Sequence, residues 1–175
     1  MPRRMAGSSR SATPRAWTMW SRRLPAGTEA APALPARLFL YGTLLEGACN
    51  AVAVRLHRRL VPGVPGRVAG QLYAIQESQG WYPALVPGSG MVRGMVHAVR
   101  PDFDADCLAV LDAYEGLRAD GLGEYRRDSI VALTDEGELV VDAYIYNVAL
   151  PAEARPVPQG DFAAYLAANG LTGFR

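Results

Sequence analysis

The chain has 175 residues, half of them apolar or aromatic and a fifth charged, which suits the core of one domain and excludes two large ones. Its net charge of +1 hides an asymmetry: residues 1–37 set seven arginines against Glu29 alone, whereas residues 38–175 set eleven arginines against sixteen acids. An acidic body lacks the basic face a nucleic-acid binder needs, no run of about 18 apolar residues supports a membrane span, and Cys49 and Cys107 make neither a disulfide framework nor a metal-ligand set.

Residues 1–36, rich in Arg, Ser, Pro and Ala and without a sustained period, read as a disordered basic extension, with the domain in residues 37–175. The apolar stretch around Trp17–Trp20 is shorter than the roughly 7 to 15 residues of a secretory signal. A dispensable tail on a cytoplasmic protein is the reading adopted, although the composition also fits an organellar transit peptide. Arg37–Tyr41 is a short apolar run stopping at Gly42, as a buried strand entering a turn would. Residues 50–60 carry Val52, Leu56 and Leu60 at helical spacing before Pro62 and Gly63, so a helix is expected there. Residues 67–75 and 91–100 read as strands, separated by an aromatic loop over residues 76–90 that holds Trp81, Tyr82, Pro83 and Pro87. Asp104 is placed to cap a helix that runs to Tyr114 and stops at Gly116. Residues 124–134 and 138–150 form a β-hairpin across Asp135-Glu136-Gly137, and Asp161 and Gly170 bracket a last helix over residues 162–169. The fold class is α+β: a small, mostly antiparallel sheet, curled or closed into a barrel, with flanking helices.

Two places stand out chemically. Asp112 and Glu115 sit at the end of the helix stopped by Gly116, where the helix dipole disfavours negative charge by some 0.3 to 1 kcal/mol. A carboxylate held there and partly desolvated by Leu111, Tyr114 and Leu117 has its pKa raised, as a general base working near neutral pH requires. An isolated acid in such a place is ordinarily a solvated surface group, so the placement alone does not assign a role. The second place is Tyr41-Gly42-Thr43-Leu44-Leu45-Glu46-Gly47, a strand running into a turn whose free N–H groups can form a nest for an anion. Asp112 is the alternative acid, with a spacing that also fits a local cap or an arginine pair. Cys49 has no histidine or asparagine placed to activate it. His57 and His97 have no paired ligand spacing and read as structural. Tyr82, Tyr125 and Tyr146 either line a pocket or pack, with packing the commoner case.

Taken in order, Tyr41-Gly42-Thr43-Leu44, Tyr82-Pro83-Ala84-Leu85, Leu111-Asp112-Ala113-Tyr114-Glu115-Gly116, Tyr125-Arg126-Arg127 and Tyr144-Ile145-Tyr146 resemble the gamma-glutamylcyclotransferase-like family, which includes AIG2-like proteins and gamma-glutamylamine cyclotransferase. The resemblance covers about residues 37 to 170. It implies a barrel-like sheet with a pocket at one end and an enzyme that releases 5-oxoproline from a small gamma-glutamyl compound. By position it implies that Glu115 is the catalytic glutamate and that Tyr41, Gly42, Thr43 and Leu44 form the substrate loop, with Tyr82 and Tyr125 beside it. It implies no metal or cofactor, no nucleic-acid or membrane partner, and a monomer or homodimer. The rival readings are a non-catalytic small-molecule binding or regulatory module on the same fold, and a related gamma-glutamyl step on a protected amine in a biosynthetic sequence.

Overall fold

The computed structural model describes residues 33–47 and 50–174; Cys49 and the expected N-terminal extension up to residue 32 lie outside them. The elements in chain order are β1 (Arg37–Leu40), α1 (Ala51–His57), β2 (Val64–Glu77), β3 (Gly80–Ala98), α2 (Ala105–Tyr114), β4 (Tyr125–Thr134), β5 (Gly137–Tyr146), β6 (Arg155–Pro156) and α3 (Phe162–Asn169). The strands run β3-β1-β5-β4-β2 and close because β2 also pairs with β3, with β6 added to β2. Among the described residues the result is a closed five-stranded mixed barrel with three helices, an α+β fold. All pairings are antiparallel except β1 with β5, where Leu38 faces Asp142 in parallel.

Alternation along β1 sets the two sides of the barrel wall. Phe39 packs with Val68, Leu72, Leu85, Val96 and Ile145 on one side, and Leu38 and Leu40 pack with Leu56, Leu108 and Leu111 on the other, since successive side chains of a strand point to opposite faces. The second cluster contains the apolar faces of α1 and α2, so these helices cover the outside of the barrel. Phe162 of α3 joins the first.

The expected helices and the β4–β5 hairpin form, with shifts at their ends. The first helix stops at His57 rather than Leu60, because Leu60 is drawn into a bridge with Val99. The hairpin's second strand ends at Tyr146, four residues short of the expected limit. The loop expected over residues 76–90 is not a loop. Glu77 faces Gly80 across a two-residue turn, and Trp81 to Val86 continue as strand against Gln71 to Gln76. Proline is admitted there because it sits where it withholds no ladder hydrogen bond from a central strand. Only Pro87 to Gly90 leave the ladder, as a bulge opposite Gly70. The two-residue β6 had no signal in the sequence.

Candidate active site

Glu115 owes its place to how α2 ends. Asp104 caps the start, its side chain accepting the Cys107 N–H at 2.9 Å. At the other end Gly116 takes a left-handed φ of +65°, the Gly116 N–H bonds the Ala113 carbonyl at 3.2 Å, and the Leu117 N–H bonds the Asp112 carbonyl at 2.9 Å. This is the Schellman arrangement, open to glycine because it has no Cβ to clash. Glu115 is therefore the residue on which the helix stops, and it lines a cavity of about 130 Å³.

The facing wall is the turn that follows β1. Tyr41, Gly42, Thr43 and Leu44 all line the cavity, as do Tyr82 and Tyr125, so every site residue expected from the sequence borders one space. The turn is closed by a Leu45 N–H bond to the Gly42 carbonyl of 3.1 Å. Among the described residues the N–H groups of Thr43 and Leu44 have no internal acceptor. Gly42 is required for closeness rather than for φ: a Cβ there would run into the Pro83 ring, within 2.9 Å of its Cδ.

The expected tyrosines are walls rather than free hydroxyls. The Tyr41 hydroxyl donates to the Tyr144 carbonyl and the Tyr125 hydroxyl to the Pro83 carbonyl at 2.6 Å, tying β1 to β5 and β4 to β3. The Tyr82 hydroxyl donates to Glu124 Oε1 at 2.9 Å. Burial, reinforced by neighbouring carboxylates, holds all three above the usual phenol range, so they stay protonated.

Glu115 itself is pushed up to about 8, first by burial, then by the Glu124 carboxylate, then by Asp112. Asp112 lies outside the cavity lining. It makes an ion pair with Arg127 Nε at 3.2 Å and accepts the Tyr144 hydroxyl at 2.7 Å, so the arginine pair foreseen for it is formed. Arg127 also binds Asp142 at 3.0 Å. His57 and His97 meet edge to face beneath α1 with centroids 5.1 Å apart. Cys107 is a free, half-buried thiol.

Sequence reasoning missed Glu77, Glu124, Tyr114, Tyr144 and Phe174, which also line the cavity. Glu124 carried a detectable signal, as an acid two residues before the Arg126-Arg127 pair and next to a motif tyrosine. Phe174 carried none: its N–H bonds the Trp81 carbonyl at 2.8 Å and so brings the last described residue beside Tyr82. The described lining residues include three glutamates and no cation. An anionic ligand group must therefore find backbone N–H groups, and a cationic one finds carboxylates.

The family model for gamma-glutamyl cyclotransferase, AIG2-like proteins matches residues 38–164. The chain belongs to this family. The matched stretch holds every element from β1 to the start of α3 and all the cavity residues except Phe174. Among solved structures the fold is similar to YkqA from Bacillus subtilis, with 20% identity and a TM-score of 0.57 over 78% of this chain and 43% of YkqA. It is also similar to an AIG2-like protein from Mus musculus, with 22% identity and a TM-score of 0.51 over 68% of this chain and 82% of that one. A third is allophanate hydrolase from Kluyveromyces lactis, with 15% identity and a TM-score of 0.56 over 78% of this chain and 22% of the hydrolase. This chain thus spans less than half of YkqA, and at such identities the likeness is one of fold. No curated protein matches the chain in sequence. Among the described residues no helix is long and apolar enough to cross a membrane.

Proposed function

We propose that this protein is a gamma-glutamyl cyclotransferase-type enzyme that converts a small gamma-glutamyl compound into 5-oxoproline and a free amine or amino acid. The observation that carries the reading is the meeting, in one small cavity, of a glutamate whose pKa is pushed up to about 8 and a turn two of whose N–H groups have no acceptor among the described residues. A carboxylate raised this far is a stronger base than an ordinary glutamate, which narrows the gap to the α-ammonium whose proton must be removed. A cavity of about 130 Å³ is well below the roughly 300 to 1,000 Å³ of drug-sized sites and suits a group that folds into a five-membered ring.

In this scheme the α-carboxylate lies on the Thr43 and Leu44 N–H groups and the α-ammonium faces Glu115. Glu115 takes a proton from the α-nitrogen, which attacks the γ-carbonyl carbon to give a tetrahedral oxyanion. The bond to the departing nitrogen then breaks as the oxyanion collapses and Glu115 gives that nitrogen the proton. The freed carboxylate takes the second proton from the ring nitrogen and passes it to the released amine, which leaves as an ammonium, so one carboxylate acts as base and as acid. Tyr41, Tyr82 and Tyr125 confine the chain so that nitrogen and carbon approach each other, which accounts for rate through orientation. The direct test is incubation with a panel of gamma-glutamyl amino acids and gamma-glutamyl amines, with 5-oxoproline measured by mass spectrometry. Release from at least one of them at a rate abolished by Glu115→Gln supports the reading. Binding of the panel without release of 5-oxoproline would convert it into the binding-module reading.

A further inference from the structure

Helix α1 touches the turn after β1 with one side chain at each end. Asn50 is 8% exposed and does two things: its Oδ1 accepts the Ala53 N–H at 2.7 Å, capping α1, and its Nδ2 donates to the Thr43 carbonyl at 2.7 Å. At the end of the same helix His57 Nε2 lies 2.8 Å from the Leu44 carbonyl. A carbonyl only accepts, so Nε2 carries the hydrogen.

The His57 ring is itself held. It packs at 74° against the ring of His97, which is buried in β3 and donates from Nδ1 to the Val61 carbonyl at 3.0 Å. Gly63 leaves room for that ring, since a Cβ there would come within 2.6 Å of it. The carbonyls of Thr43 and Leu44 are thus tied through α1 to the barrel wall.

In a planar trans peptide the carbonyl and the next N–H point in opposite directions. Drawing the Thr43 carbonyl onto Asn50 turns the Leu44 N–H away from α1. Drawing the Leu44 carbonyl onto His57 orients the Leu45 N–H, which closes the turn on Gly42. Two successive peptide planes are fixed from behind, and the donor left without an acceptor among the described residues belongs to Leu44, which lines the cavity. We infer that Asn50 and His57 are positioning residues that hold the Gly42–Leu44 turn with its N–H groups preset for an anionic group of the substrate. The inference deepens the proposed activity and rests on it for the identity of the bound group.

Asn50→Asp separates positioning from capping. Aspartate caps a helix as well as asparagine does, but it has no hydrogen to give the Thr43 carbonyl and sets a second acceptor against it. His57→Leu removes the other donor, and His57→Gln restores an N–H of similar reach. In the full, ligand-free chain, ¹⁵N relaxation is expected to show the order parameters of Thr43 and Leu44 falling from about 0.85 toward about 0.6 in Asn50→Asp and His57→Leu, with the barrel strands unchanged. On the gamma-glutamyl substrate that the wild type turns over fastest, kcat/KM should fall about ten- to a hundredfold, the scale of leaving one buried polar group unpaired. His57→Gln should recover most of the loss, and a rise in KM rather than a fall in kcat would place the N–H groups on the α-carboxylate.

Unchanged order parameters in both Asn50→Asp and His57→Leu overturn the inference, as does a loosening spread evenly over the barrel or a His57→Gln variant no better than His57→Leu. If Asn50→Asp fails to fold, the His57 pair decides alone. If no gamma-glutamyl compound is turned over by the wild type, the proposed activity fails while the relaxation data still judge the positioning.

Discussion

Replacing Glu115 with glutamine should abolish turnover and stabilise the protein, and the size of the stabilisation should depend on pH in a way the site geometry dictates. The carboxyl is raised from its ordinary value of about 4.5 to about 8 by burial and by Glu124 and Asp112. Because the folded state holds the proton more tightly than the unfolded chain, Glu115 is neutral in both states only at low pH, and ionisation works against folding as pH rises above about 4.5. The penalty is roughly 3 kcal/mol at pH 7 and, as an upper limit, about 5 kcal/mol above pH 9, the partial exposure of Glu115 lessening both. A glutamine has no such titration. Urea denaturation of wild type and Glu115→Gln at pH 4.5, 7 and 9 should give a stability difference that is small at the lowest pH, grows in favour of the variant through neutrality, and levels off above pH 9. In parallel, wild-type kcat/KM should rise about tenfold per pH unit up to a limb near 8, because only the ionised carboxylate can accept a proton, and the variant should lose several orders of magnitude at every pH. A stability difference that is flat in pH would mean that Glu115 titrates as an ordinary surface acid. Near wild-type release of 5-oxoproline by the variant would remove Glu115 from the chemistry and make Asp112 the next group to test.

Glu124→Gln keeps an acceptor for the Tyr82 hydroxyl but removes the carboxylate charge that, with burial, raises the Glu115 pKa; the limb of the pH profile should move to lower pH, and a limb left in place would deny the coupling. Asp112→Asn leaves Arg127 with only Asp142 and should lower stability by about 1 to 3 kcal/mol, within the range for disturbing a partly buried charge network, measurable by urea denaturation; an unchanged midpoint would show the pair to be inert. Gly42→Ala drives a methyl group into the Pro83 ring and should cost about 1 to 3 kcal/mol of stability as overpacking does, together with a loss of affinity for a non-cyclising gamma-glutamyl analogue in calorimetry. Thr43→Val keeps the backbone donors and should lose much less affinity; equal losses in the two variants would shift recognition from the N–H groups to the threonine hydroxyl.

What the sequence could and could not reveal divides along a physical line. The end of α2 was readable because Asp104 and Gly116 act on backbone groups within three residues of themselves; the same holds for Asp161 and Gly170 around α3. The stretch from Trp81 to Gly90 was misread because Pro83, Pro87, Gly88 and Gly90 are local signals for a loop. Here they are outweighed by a long-range pairing with β2 that buries Trp81, Ala84 and Leu85. Asn50 caps α1, and nothing in its neighbourhood announced that its other amide atom holds Thr43. Glu77, Glu124, Tyr144 and Phe174 reach the cavity only because the sheet closes on itself.

That closure also explains why a helix stop and a strand end, each ordinary alone, make a site together. The Tyr41 hydroxyl on the Tyr144 carbonyl holds the end of β1 to β5, while the Tyr125 hydroxyl on the Pro83 carbonyl holds β4 to the stretch of β3 that meets Gly42. Asp112, one turn before Glu115, is fastened through Arg127 and the Tyr144 hydroxyl to β4 and β5. The turn, the helix end and the tyrosine walls therefore share one rigid support at Tyr144. A change that loosened β5 there would move the base and the N–H donors apart together, so its effect would fall on orientation and appear in kcat/KM before it appeared in the melting temperature.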